Sequence, residues 1–229
     1  MFEILFVDLD DTILDFQKAE AVALSKTLTS FGLEPTDTVL KRYNLINKAH
    51  WEALERKELT REQVLVGRFQ VLFEEMGITV EPVKVARSYE KNLGIGHYFL
   101  PGAENAVKRL SKQYRLFLAS NGTISVQQGR IASAGIAGYF EDIFISQQIG
   151  VNKPDKEYFD RCFAKIPGFD RKKTMIVGDS LTSDMLGGQN AGIATCWVNP
   201  NHKAGREDIR VDYEIESLSQ LEDLLEGRK

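Results

Sequence analysis

Residues 4–14 read Ile-Leu-Phe-Val-Asp-Leu-Asp-Asp-Thr-Ile-Leu, and this stretch decides the fold. An apolar run, Ile4–Val7, ends in three carboxylates, Asp8, Asp10 and Asp11. On a strand, residues two apart share a face. Asp8 and Asp10 therefore point the same way, out of the end of a buried strand. Crowded, partly desolvated carboxylates repel one another and resist ionisation. A divalent cation relieves that repulsion, and Mg²⁺ suits a small carboxylate site completed by substrate phosphate. The stretch reads as a metal and phosphate site with a carboxylate available as nucleophile. The other reading is an acidic turn that ends a strand and caps a helix, since short motifs match by chance.

The pattern outward from this strand changes twice. From Gln17 the sequence is helical, with Gly32 as a stop. Pro35 and Thr36 open a second helix, whose apolar residues recur at three- and four-residue steps from Val39 to Leu54. Thr60 and Gln63 form a capping-box pattern for a helix ending near Gly77, and Pro82 opens a fourth, running to about Leu93. After Gly94–Gly102, helix and strand patterns alternate. Helices are predicted over Ala103–Leu110, Ile124–Ala134, Lys156–Ala164, Met185–Ala191 and Leu218–Leu225. Strands are predicted over Arg115–Ser120, Asp142–Ser146, Thr174–Val177, Ala194–Val198 and Tyr213–Ile215. Alternation of this kind predicts an α/β fold with a parallel sheet covered on both faces. The first strand must rejoin that sheet, so the helical block is an insertion hinged near Leu14–Lys18 and Gly94–Pro101.

Composition narrows the function. The 229 residues are 43% hydrophobic and 27% charged, an ordinary globular mixture. With 29 basic and 33 acidic residues, the net charge is −4. No basic block stands out, which argues against nucleic acid or a membrane surface as partner. The N-terminus lacks the pattern of a signal peptide, and no stretch is long enough to span a membrane. Cys162 and Cys196 have no CxxC spacing, and free buried thiols in a cytoplasmic protein are the expectation. His50, His97 and His202 show no mutual metal-ligand spacing.

In parallel sheets, ligands gather at the carboxyl ends of the strands, and four predicted strand ends carry suitable groups. Beside the first, Ser120-Asn121-Gly122 offers a hydroxyl, an amide and a tight turn, as a phosphate site or a helix cap. Lys153-Pro154 places an ammonium on a rigid loop, to neutralise charge or simply to face solvent. Gly178-Asp179-Ser180, with Asp184 following, allows close backbone approach and a second acidic pair, or a further helix cap.

Together these four sets resemble the haloacid dehalogenase-like (HAD) hydrolase superfamily over the whole chain. Motif one is Asp8-Leu9-Asp10-Asp11-Thr12, motif two Ser120-Asn121-Gly122, motif three Lys153-Pro154, and motif four Gly178-Asp179-Ser180 with Asp184. The helical insert corresponds to the family's cap, which follows motif one. The resemblance implies a Rossmann-like core over residues 1–15 and 97–229, with an all-helical cap over 16–96. It implies Asp8 as a nucleophile that forms an aspartyl-phosphate, and Asp10 as general acid and then general base. It implies Mg²⁺ held by Asp8, the Asp10 carbonyl and Asp179. Asp184 stands behind them, orienting a metal-bound water or the Lys153 ammonium. Ser120, the Asn121 backbone amide and Lys153 are the implied phosphate binders, with Lys153 also counted as catalytic. Thr12 buttresses the motif-one loop and is counted with the phosphate-binding set. The family's dehalogenases lack the second aspartate of motif one, so Asp10 favours a Mg²⁺ phosphatase. The phosphoglucomutase branch also keeps that aspartate.

Within the insert, Ile46–Glu55, Leu59-Thr60 and Arg68-Phe69 are similar to the cap of the bacterial pyrimidine 5′-nucleotidase branch (the YjjG/YfnB type). Lys57 departs from it, standing where a glycine is common. This implies a nucleoside monophosphate as substrate. The residues by themselves leave two readings open. Either Trp51 stacks on a base whose edge meets Asn47 or Arg68, or Trp51 and Phe69 are core and Arg68 is a solvated or paired cation. A phosphatase for phosphoglycolate or a sugar phosphate is the alternative within the family. A phospho-accepting signalling module is the alternative outside it, and it needs neither Asp10 nor the insert. The preferred base and sugar, and the oligomeric state, stay open.

Overall fold

A computed structural model of the chain describes residues 1–227; Arg228 and Lys229, at the end of the core segment expected above, lie outside them. Strand β1 (Ile4–Val7) leads straight into four helices, α1 (Phe16–Ser30), α2 (Asp37–Glu55), α3 (Arg61–Met76) and α4 (Pro82–Leu93). Alternation then begins with α5 (Ala103–Leu110), β2 (Arg115–Ser120), α6 (Ile124–Ala134), β3 (Asp142–Ile145), α7 (Ser146–Ile149) and α8 (Lys156–Phe163). It ends with β4 (Thr174–Gly178), α9 (Leu186–Ala191), β5 (Ala194–Val198), β6 (Tyr213–Ile215) and α10 (Leu221–Leu225).

The six strands form one parallel sheet in the order β3-β2-β1-β4-β5-β6. β1 sits inside, so its four residues are all buried and apolar. The two faces divide the sequence by parity. Leu5, Val7, Leu118 and Val177 pack with Val107 and Leu110 of α5, Ile131 of α6 and Leu221 of α10. Ile4, Phe6, Phe117 and Ile176 pack on the opposite side with Tyr158, Phe159 and Cys162 of α8. Register places Val7 beside Leu118 on one flank and Val177 on the other. The residues that follow these positions therefore emerge together at one edge.

Helices α1–α4 enclose a separate apolar cluster built on Leu24, Leu28, Tyr43, Phe69, Leu72, Val85 and Tyr89. Their starts are specified locally. Asp15 caps α1 by accepting from Lys18 N at 2.8 Å, and Thr60 and Gln63 complete the capping box of α3. Such caps contribute about 1 kcal/mol each. Gly77 ends α3 at φ +63°, a conformation that costs glycine nothing. The chain leaves and re-enters the sheet layer through two paired segments. Asp15 N donates to Tyr98 O at 2.7 Å, and Leu100 N donates to Ile13 O at 3.0 Å.

Beyond one-residue shifts at element ends, the predicted elements differ from the observed ones in three places. Ser146 starts the short α7 instead of ending β3. A wide, π-type turn over Leu181–Met185 precedes α9 where a plain helix start was expected. The last helix begins as a 3₁₀ turn over Leu218–Gln220. Among the described residues no helix is long and apolar enough to cross a membrane.

Candidate active site

The shared register of β1, β2 and β4 brings Asp8, Ser120 and Asp179 to one edge of the sheet. Between them lies Lys153, whose side chain is 1% exposed. Its ammonium has three hydrogens and uses all three, donating to Asp8 Oδ1 at 2.7 Å, Asp184 Oδ1 at 2.6 Å and Ala119 O at 2.7 Å. Asn121 fixes the lysine from behind. Its Oδ1 accepts from Lys153 N at 2.9 Å and its Nδ2 donates to Lys153 O at 2.8 Å. The Lys153-Pro154 peptide bond is cis.

Asp184 reaches this cluster from the wide turn. Its Oδ2 accepts from Ser180 N at 3.1 Å, and the adjacent strand end is Gly178, where any Cβ would overlap the Asp184 carboxylate. Trp197 Nε1 donates to Asp179 O at 2.8 Å and holds that backbone in place. Carboxylate oxygens of Asp8, Asp179 and Asp184 lie within 4.8 Å of one another. Burial, reinforced by the neighbouring carboxylates, pushes the Asp8 carboxyl up to about 8 against the pull of Lys153. Burial also raises Asp179 well above the usual carboxylate range, again with Asp8 and Asp184 adding to it. Burial opposes the Lys153 charge, but Asp184 and Asp8 outweigh it and hold the ammonium above its ordinary value. Three carboxylates against one ammonium leave an excess of negative charge, and the donors are all hard oxygens. This set fits a small divalent cation.

Asp10 faces the same cavity but stands apart from that trio. Its Oδ2 accepts from Gln127 Nε2 at 2.7 Å, and its Oδ1 pairs with Arg130 Nη1. Gln127 Nε2 also donates to Ser120 Oγ at 2.6 Å, and Gly122 N donates to the same hydroxyl at 3.2 Å. Asp11 takes the helix-capping role of the alternative reading, with Oδ1 accepting from Phe16 N at 2.8 Å. Thr12 departs from expectation. It is outside the cavity wall, and its hydroxyl is buried without a hydrogen-bond partner among the described residues. Its hydroxyl therefore does not line the phosphate position.

The four-helix layer closes over this edge and leaves a cavity of about 310 Å³. Asn47, Trp51 and Arg68 line it, whereas Phe69 belongs to the buried cluster. Arg68 Nη1 donates to Asn47 Oδ1 at 2.8 Å, and Asn47 Nδ2 donates to Glu20 Oε1 at 2.6 Å. The Arg68 guanidinium also sits 4.9 Å from the Tyr89 ring. The network is buried, and burial raises the Glu20 carboxyl.

Residues 4–198 match the family model described as haloacid dehalogenase-like hydrolase. The chain belongs to this family. The HAD-hydrolase YfnB of Bacillus subtilis is 38% identical over 224 residues, covering 98% of this chain and 95% of YfnB. Its magnesium-bound crystal structure, described as revealing interdomain movement, superposes with a TM-score of 0.94 over 98% of both chains. The pyrimidine 5′-nucleotidases PynA of Streptococcus pneumoniae and YjjG of Escherichia coli are 36% and 31% identical. They cover 98% and 96% of this chain, and the matches span 95% and 96% of their own lengths.

Four residues at the site escape a reading of the sequence alone. Arg61, at the start of α3, donates from the helical layer to Asn121 O at 2.9 Å, Gly122 O at 3.0 Å, Ser146 Oγ at 2.8 Å and Asn152 Oδ1 at 2.5 Å. Glu55 Oε2 accepts from Thr182 Oγ1 at 2.9 Å across the same gap. Gln127 and Arg130 hold Asp10 from α6. Only the last two carried a usable signal, being polar residues three apart on one helix face.

Proposed function

We propose that this protein is a Mg²⁺-dependent 5′-nucleotidase that hydrolyses pyrimidine nucleoside monophosphates through an aspartyl-phosphate on Asp8. The observation that carries the reading is the buried Lys153 joined to Asp8 and Asp184, beside Asp179 and within one cavity with Asp10 and Ser120. The likeness to PynA and YjjG supports the substrate class.

Asp8 attacks the phosphorus while the ester bond to the nucleoside oxygen breaks. Asp10 supplies the proton that this oxygen takes up. A water molecule then attacks the phosphorus of the acyl phosphate and gives its proton to Asp10, and the Asp8–phosphorus bond breaks to release phosphate. Ser120 and the Asn121 backbone amide hold the phosphoryl oxygens, and the Lys153 ammonium, held against Asp8 and Asp184, offsets their charge as the phosphoryl group binds, so the chain's task is positioning and charge stabilisation. Asp8, the Asp10 carbonyl and Asp179 are the assigned Mg²⁺ ligands, with Asp184 behind them. The ion, when bound, offsets negative charge on the carboxylates and the phosphoryl group.

Residues 1–15 and 97–229 form the catalytic core in this reading, and residues 16–96 form a cap that closes over the substrate. Trp51 offers a face for the base and Asn47 and Arg68 offer polar edges. A cytoplasmic setting suits the two buried free thiols, Cys162 and Cys196. The test is phosphate release with Mg²⁺ across UMP, dUMP, dTMP, CMP, AMP, GMP, phosphoglycolate and sugar phosphates. Preference for the pyrimidine nucleotides is expected. A flat or sugar-centred profile overturns the nucleotidase assignment and leaves only a phosphatase.

A further inference from the structure

Arg130 is fully buried on α6, a helix that supplies no family motif residue. A buried guanidinium is costly unless its donors are satisfied. Here the satisfaction is incomplete, because Nη2 is buried with no hydrogen-bond partner among the described residues. The contacts that Arg130 does make converge on one group. Nη1 pairs with Asp10 Oδ1 and donates to Gln127 Oε1 at 3.2 Å. Gln127 is itself fully buried, and its Nε2 donates to both Asp10 Oδ2 at 2.7 Å and Ser120 Oγ at 2.6 Å. Both oxygens of Asp10 are thus engaged, from one side, by two residues three apart on one helix. The rest of the guanidinium is anchored on the segments that join the two layers. Nε donates to Gly96 O at 3.0 Å, and the Phe16 ring lies 5.6 Å away. Space is tight as well, since a Cβ on Gly122 would overlap Gln127.

A residue needed only to tie α6 to the hinge segments has no reason to spend Nη1 on a cavity-facing carboxylate and leave Nη2 orphaned. Violations of this kind gather at functional sites. We propose that Arg130, assisted by Gln127, is the positioning residue for Asp10, fixing the acid–base carboxylate relative to the phosphate-binding Ser120. This rests on the phosphatase reading above, in which Asp10 moves the proton.

The test uses the leaving group. Uridine leaves UMP as an alkoxide that must take up a proton, whereas p-nitrophenol leaves p-nitrophenyl phosphate as a stable phenolate that needs none. Arg130→Met keeps the apolar bulk and removes the contacts. First-turnover release is followed for both esters, with Mg²⁺ and the full chain. The expected result is uridine release slowed by at least about 100-fold, the low end of general acid–base catalysis, while the p-nitrophenol burst stays near wild type. Turnover after the burst stalls with both esters, because hydrolysis of the intermediate also needs Asp10. Arg130→Lys keeps the charge but cannot span Asp10 and Gly96 together, and it shows the same split with a smaller loss. It carries the test if Arg130→Met does not fold. Equal slowing of both bursts, or no slowing of either, overturns the proposal. If the wild type turns over neither ester, the phosphatase reading itself has failed, and that outcome is distinct from the other two.

Discussion

Replacing Arg61 by alanine isolates the closure of the cap, because this side chain contacts the core without touching the carboxylate cluster. Four hydrogen bonds at 2.5–3.0 Å run from its guanidinium to Asn121, Gly122, Ser146 and Asn152. Burial lowers its pKa only to about 10, so it is charged at neutral pH. A hydrogen bond from a charged donor contributes about 1.5–3 kcal/mol net. The four share one partly exposed group that water can solvate once the cap opens, so truncation costs about 2–3 kcal/mol rather than their sum. At 1.4 kcal/mol per decade, that shifts the closed-to-open ratio by roughly 30- to 150-fold. When the closed form is the one that grips the nucleoside, KM rises by up to that factor. The value of kcat changes less, because Asp8, Asp10 and Lys153 stay in place. Steady-state kinetics on UMP, with small-angle scattering in the presence of Mg²⁺ and a phosphate analogue, checks both effects. An unchanged KM together with an unchanged scattering profile refutes the latch.

Asp8→Asn is expected to abolish turnover with the thermal unfolding profile preserved, which calorimetry and phosphate release check together. Asp179→Ala is expected to shift Mg²⁺ activation to higher concentration, and an unchanged Mg²⁺ titration removes Asp179 from the metal site. Lys153→Met breaks a buried pairing whose side chains are about 1% exposed at Lys153 and Asp184, and should lower stability by about 3–5 kcal/mol in urea unfolding. Glu55 gives a pH dependence. Burial raises its carboxyl from 4.5 to about 7 despite the hydrogen bond from Thr182. The folded state therefore binds this proton more tightly than the unfolded chain does. Its contribution to stability is complete below about 4.5 and is lost as pH rises through about 7. Glu55→Gln should flatten that part of the stability profile between pH 5 and 8, measured by thermal unfolding. A profile as steep as wild type rejects it.

The sheet was legible because its signals are local. Ile4–Val7 and Thr174–Val177 are unbroken apolar runs, and each polar motif begins where its run stops. Parallel register then does the rest, since Val7, Leu118 and Val177 lie side by side and carry Asp8, Ser120 and Asp179 with them. The helical insert was equally readable from Thr36, Thr60 and Pro82. Contacts between residues far apart in the chain were not. Arg61 meets Asn121 from 60 positions away, and Arg130 meets Asp10 across 120. Nothing in the sequence of α3 marks the Arg61 pairing, and the three-residue spacing of Gln127 and Arg130 gives them a shared helix face without naming its partner. The wide turn at Leu181–Met185 was missed for a related reason. Asp184 must reach back to both Ser180 N and Lys153, a tertiary demand that helix patterning does not register.

The central claim is a phosphoryl group carried on Asp8, and rapid acid quench tests it most directly. Wild-type enzyme is mixed with UMP and Mg²⁺, quenched within the first turnover, digested, and its peptides weighed. The mechanism predicts one phosphoryl group on the peptide containing Asp8, absent from Asp8→Asn. Turnover that persists in Asp8→Asn, or a phosphoryl group found on another residue, contradicts it.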